Sequence, residues 1–99
     1  MSAPNVLVLE INSRNIKISK TLKFVQDGGS VVLKVRGLIY HGVFHFTSHI
    51  IGTDNIVWYH DGMTTGSTCK NEGDFDNFSN REIMNSKGKV LTMVVYARV

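Results

Sequence analysis

The chain has 99 residues, 42% of them hydrophobic and 19% charged, with a formal net charge of +3. That size and mixture fit one soluble globular domain spanning 1–99, and they exclude a multidomain enzyme or a low-complexity chain. A single cysteine, Cys69, excludes an internal disulfide framework and suits a reducing compartment. No apolar run approaches the roughly 18 residues of a membrane span, and the opening MSAPNVLVLE has no basic segment before its apolar stretch. The expectation is an intracellular protein, cytoplasmic or nuclear, with no membrane partner.

Val6 to Ile11 (VLVLEI) is a near-continuous apolar run and predicts a strand buried on both faces. Asn12 to Asn15 reads as a polar turn. From Ile16 to Phe24 the pattern alternates, with Ile18, Leu22 and Phe24 on one face and lysines, Ser19 and Thr21 on the other. Asp27 to Ser30, with its glycine pair, is a turn. The next strand runs from Val31 to about His41. Simple alternation puts Val31, Leu33, Val35 and Ile39 on the core face, with Lys34, Arg36 and Tyr40 opposite.

Gly42 marks a turn or bulge. On the strand after it, Phe44, Phe46 and Ile50 are expected inside, which turns His45, Thr47 and His49 outward. Gly52 to Asn55 (GTDN) is a hairpin turn, and Ile56 to His60 a strand ended by Asp61 and Gly62. From Met63 to Lys89 the chain is polar and reads as one long loop. Only Asn80 to Asn85, behind a Ser79 cap, has helical character. Val90 to Val99 closes the chain as a strong strand with one charged side chain, Arg98, and is expected to be unblunted and open to pairing with another chain. The fold class expected is mainly β: a twisted antiparallel sheet of about six strands, with one long loop and one or two short helices at most.

His41, His45 and His49 recur every four residues, but the β-branched and aromatic residues around them favour a strand. Four strand residues span about 13 Å, too far for two such imidazoles to share one Zn²⁺. No metal site and no cofactor is expected, and His41 and His49 read as ordinary imidazoles. His45 differs, because it lies in an aromatic frame beside the strand that carries Asp61. A general base needs partial desolvation and a group that fixes its tautomer, and an Asp on the adjacent strand can supply the second. His60 points to the face opposite Asp61 and is the poorer partner. His45 and Asp61 are the candidate catalytic residues.

Six segments in order carry a resemblance: PNVLVLEI at 4–11, IKISKTLKF at 16–24, VLKVRGLIYHG at 32–42, FHFTSHI at 44–50, VWYHDGM at 57–63 and VVYARV at 94–99. They resemble the C-terminal third of the papain-like ubiquitin-specific proteases, the peptidase C19-like hydrolases. The resemblance implies a β-lobe in which His45 matches the catalytic histidine and Asp61 the residue that orients it. The family's N-x-G-N-T-C nucleophile box does not occur in these 99 residues, and Cys69 follows both His45 and Asp61, so it does not match the nucleophile. Phe44 stands where the family has Gly.

Three readings follow. The first is a non-catalytic, pseudoenzyme-type module that binds a protein partner, ubiquitin-like in the family's manner, and self-assembles as a homodimer. The second is an excised or complementing lobe of a cysteine-type deubiquitinase, in which case a Cys-bearing lobe completes the site. The third is a small basic nucleic-acid binder using Phe44, Phe46, Trp58 and Tyr59. Scattered cations, and aromatics expected to alternate into the core, disfavour that third reading.

Overall fold

The computed structural model describes residues 4–42, 44–61 and 69–99. The chain is mainly β, and its strands form one antiparallel sheet. They are β1 (Val6–Glu10), β2 (Thr21–Gln26), β3 (Gly29–Gly42), β4 (His45–Ile51), β5 (Ile56–Asp61), β6 (Lys70–Asp74), β7 (Asn85–Ser86) and β8 (Lys89–Arg98). Their spatial order is β1-β8-β3-β4-β5-β6, with β2 pairing the first part of β3 and β7 the start of β8. β3 is the hub. It pairs β8 along one edge, and β2 then β4 along the other.

One face of the sheet is covered. A 3₁₀ turn at Phe75–Asn77 and the helix α1 (Asn80–Met84) supply Phe75, Ile83 and Met84 to a core built on Leu33, Val35, Leu38, Tyr40, Val57, Val94 and Tyr96. α1 is only five residues long and depends on its cap. Ser79 Oγ accepts from the Glu82 amide, while the Glu82 carboxylate accepts from the Ser79 amide, so two orphan N–H groups are satisfied reciprocally. The polar stretch before β2 is tied to the same cover. Asn80 accepts from the Ile18 amide and donates to the Ile16 carbonyl, and the Tyr96 hydroxyl donates to the Ser19 carbonyl. Residues 16–20 therefore lie outside any strand, and the strand expected from Ile16 begins only at Thr21.

Four further expectations are corrected. β1 is an edge strand and not a doubly buried one: Val6, Val8 and Leu9 are exposed, because only β8 flanks it. The final strand is interior, with β1 and β7 on one side and β3 on the other. Part of the expected long loop is strand: Lys70 to Asp74 pairs with β5, and Asn85–Ser86 pairs with β8. The Gly62 turn and residues 63–68 of that loop lie outside the described residues.

The fourth correction has the widest reach. A β-bulge between Val35 and Gly37 shifts the phase of β3. Val31, Leu33 and Val35 are buried, but after the bulge the buried residues are Leu38 and Tyr40, not Ile39. One extra residue sends every later side chain to the other face. β4 follows β3 through the pairs Leu38–His49 and Tyr40–Thr47, so Thr47, His49 and Ile51 point inward. Phe46 and Ile50 point outward and Phe44 is almost wholly exposed. The grouping of side chains on β4 is the one expected, and the face each group occupies is reversed.

Candidate functional site

Three strands bring the polar side chains of the covered face together. β4 supplies His45, Thr47 and His49. β5 places Asp61 opposite Thr47 and Tyr59 opposite His49. β3 adds Tyr40 opposite Thr47. His45 and Asp61, the residues singled out in the sequence, meet with His45 Nε2 3.6 Å from Asp61 Oδ1 and both side chains about one-fifth exposed. That is an ion-pair distance, slightly longer than a formed hydrogen bond. Such contacts commonly tighten only when a reacting group is bound. His45 Nε2 faces the carboxylate from a buried position, which leaves Nδ1 as the nitrogen that could take a proton from an incoming group.

The backbone before His45 is strained at Phe44. Gly42 and His45 face each other across the β3–β4 hairpin, and Phe44 precedes His45 with φ of 65°. Tight hairpins demand this left-handed conformation, which Gly adopts freely and a side chain resists. The Gly of the resembled pattern suits the geometry; Phe44 holds it under strain, with its ring 99% exposed.

His49, expected to be an ordinary imidazole, is the deeply buried one at 3% exposure. Its Nδ1 lies 3.0 Å from the Tyr40 hydroxyl. Tyr40 is fully buried, so its hydroxyl best satisfies itself by donating to Nδ1, which puts the ring proton on Nε2. Nε2 points toward Glu72 Oε1 at 3.9 Å, an electrostatic contact and not a hydrogen bond. Burial holds the His49 pKa below the ordinary histidine value; the Glu72 carboxylate opposes that shift, and the Lys87 ammonium reinforces it. Burial also raises the Tyr40 phenol, and it raises Tyr59, with the Asp61 and Glu72 carboxylates adding to the effect. The rings of Tyr40, Tyr59 and Phe78 stand edge-on to His49, and Lys87 Nζ caps the Tyr59 ring at 4.6 Å. A polar depression of about 250 Å³ opens beside it, lined by Glu72, Phe78, Glu82 and Lys87 among others. The phase break on β3, a three-residue step from Val35 to Leu38 across Arg36-Gly37, was the signal in the sequence that could have found His49.

Cys69 is exposed immediately before β6. β5 separates β6 from β4, so about two strand spacings of 4.8 Å lie between the backbones that carry Cys69 and His45. The site as described brings His45 and Asp61 together, without a thiol between them. Among the described residues no group of three or more His, Cys, Asp or Glu could hold a metal ion. Among the described residues no helix is long and apolar enough to cross a membrane.

The opposite face of the sheet is open. Val6, Val8, Phe46, Ile50 and Trp58 are all exposed large apolar residues, and Phe46 stacks at 4.4 Å on the exposed His41 ring. Pairing runs from Val8 through Val95 to Gly37, then to Ile50 and Trp58, so the surface crosses five strands, while Val6 pairs Ala97 and, through it, Lys34. Of the aromatics expected to alternate into the core, Phe46 and Trp58 are therefore on this face, and Tyr59 is on the covered one. Its strand lysines, Lys23 and Lys34, lie beside β2 at the far end of β3, about 23 Å from His41 at about 3.3 Å per residue. Phe46 is thus far from these lysines, while Trp58, reached from Gly37 through Ile50, lies nearer to Lys34.

Compared with protein-family models, with curated proteins and with solved structures, the chain matches none.

Proposed function

We propose that the chain is a non-catalytic protein-binding module on a β-lobe that resembles that of the ubiquitin-specific proteases, and that it self-assembles. The observation that carries this reading is the open sheet face. Val6, Val8, Phe46, Ile50 and Trp58 stay exposed on one side of a sheet whose other side has a complete core. Contiguous apolar patches of this kind mark interfaces. The mixture of two aromatics with aliphatic residues is the composition of a protein interface centre. The partner we assign is a folded protein of ubiquitin type, following the resemblance.

One observation favours a second reading, the base-bearing lobe of a cysteine-type deubiquitinase. His45 and Asp61 are already paired. Given a thiol from another segment or chain, Asp61 would hold the Nε2 proton while Nδ1 accepts the proton of the thiol.

A ubiquitin C-terminal activity probe separates the two. On the first reading the chain forms no adduct and turns over no ubiquitin-fluorophore conjugate, although ubiquitin binds. An adduct that disappears in Cys69→Ser or His45→Ala would overturn it in favour of the second.

A further inference from the structure

The strand path from β1 to β6 has two ends, and they are built differently. At one end β6 carries Lys70, Glu72 and Asp74, a bulge opposite Val57–Trp58, and Gly73 at φ of 95°. Charge, bulge and glycine are the devices that keep an edge from pairing with another chain. At the other end β1 has neither bulge nor glycine. Its sequence is VLVLE, it pairs β8 in unbroken register, and Glu10 is its only charge.

The hydrogen bonds fix which groups of β1 are available. The Ile11 amide donates to the Thr92 carbonyl, and the Asn5 carbonyl accepts from the Arg98 amide. Antiparallel ladders alternate, so odd-numbered residues of this strand face β8 and even-numbered ones face away. The N–H and C=O groups of Val6, Val8 and Glu10 thus point off the sheet, and no described strand lies beyond them.

We infer that β1 pairs antiparallel with β1 of a second copy of this chain, about a twofold axis through Val8. It rests on the self-assembly part of the reading above and names the surface. The strand is self-complementary in this register. Val8 meets Val8 of the second copy, and Val6 and Glu10 meet Glu10 and Val6, each pair able to exchange two N–H···O bonds. The one charge on each strand falls opposite a valine and not opposite its like. Leu7 and Leu9 cross the join on the covered side. Because the axis is perpendicular to the sheet, the open faces of both copies lie on the same side and merge into one surface. The result is an isologous interface that closes on itself as a dimer.

The test is sedimentation equilibrium of the whole chain across a hundredfold concentration range upward from about 1 µM. The wild type should double its mass. Val8→Lys or Val8→Glu puts like charges directly opposite each other at the axis and should weaken the dimer about a hundredfold, while an equimolar mixture of the two variants should recover it. Val8 is 52% exposed, so neither change enters the core. Should a charged variant fail to fold, Val8→Pro serves instead: it deletes an N–H that β8 does not use and must also abolish the dimer. A wild type that stays monomeric, a V8K chain that dimerises like the wild type, or a mixture that stays monomeric overturns the assignment. Ile50→Asp, on the open face, should leave the dimer intact. Loss of the dimer in I50D but not in V8K would move self-association to the open face, overturning the edge pairing while sparing the docking reading.

Discussion

The two faces of β4 carry the opposite of what their composition suggests. The inward face holds His45, Thr47, His49 and Ile51; the outward face holds Phe46, Ser48 and Ile50. A buried polar group persists where a specific partner holds it, as Tyr40 holds His49, while the partly exposed His45 stands at ion-pair distance from Asp61. Exposed aromatics on an otherwise ordinary sheet call for a different explanation, since nothing in the fold needs them. The contrast teaches that the covered face determines folding and the candidate site, while the open face is free for binding.

The largest effect expected is the contrast between core and open face. Leu38→Ala, beneath the bulge, should lower unfolding stability by about 2–5 kcal/mol, whereas Ile50→Ser should change it by less than about 0.5 kcal/mol. Urea denaturation of both variants at equal concentration measures this. Equal losses at the two positions would mean that the open face is not open.

Next comes the polar interior. Tyr40→Phe leaves His49 Nδ1 buried without its donor and should cost about 1–3 kcal/mol. A neutral outcome would mean that water reaches Nδ1.

A smaller gain is expected at the hairpin. Phe44→Gly relieves a left-handed residue and should stabilise the fold by about 1 kcal/mol, read as a higher Tm. If Phe44 also touches a partner, the same variant should bind more weakly while being more stable.

The gentlest effect is a slope with pH. His49 has its pKa lowered in the folded state, so the unfolded chain binds more protons below the ordinary histidine value near 6.5. Stability should be constant above that value and fall as the pH drops below it, levelling once folded His49 is also protonated. The Glu82 carboxylate is lowered by its hydrogen bonds to the Ser79 amide and hydroxyl, and its cap should be lost below about 4.5. His49→Gln should flatten the slope in the histidine range and leave the acid limb.

Much of the fold was legible because strands announce themselves by local alternation and turns by glycine. The GTDN turn, the alternation of β4 and β5, the Ser79 cap and the helix behind it all follow from neighbouring residues. The His45–Asp61 pairing was legible too, since it needs only two adjacent strands in the register set by that turn. What alternation could not carry was phase across the bulge at Arg36, and one missed residue there reversed the faces of β3 and β4. β6 was hidden because KNEGD has no β-forming side chains; the free edge of β5 makes it a strand. β1 looked doubly buried because apolar content does not distinguish an interior strand from an edge one. Lys89 was another hidden element of the core. Its stem is buried against Gly42, where an added Cβ would lie 3.1 Å from Lys89 Cγ.

The central claim is that the open face docks a protein, and Trp58 is placed to report on it. It is the chain's only tryptophan and it stands on that face, 37% exposed. The decisive measurement is Trp58 emission and its quenching by iodide while the V8P chain, which keeps an apolar side chain on that face, is titrated with tryptophan-free ubiquitin, so that self-association at β1 does not contribute. Docking on the open face predicts a saturable blue shift with loss of quenching, abolished in Ile50→Asp. Emission and quenching that stay unchanged at saturating ubiquitin would contradict it.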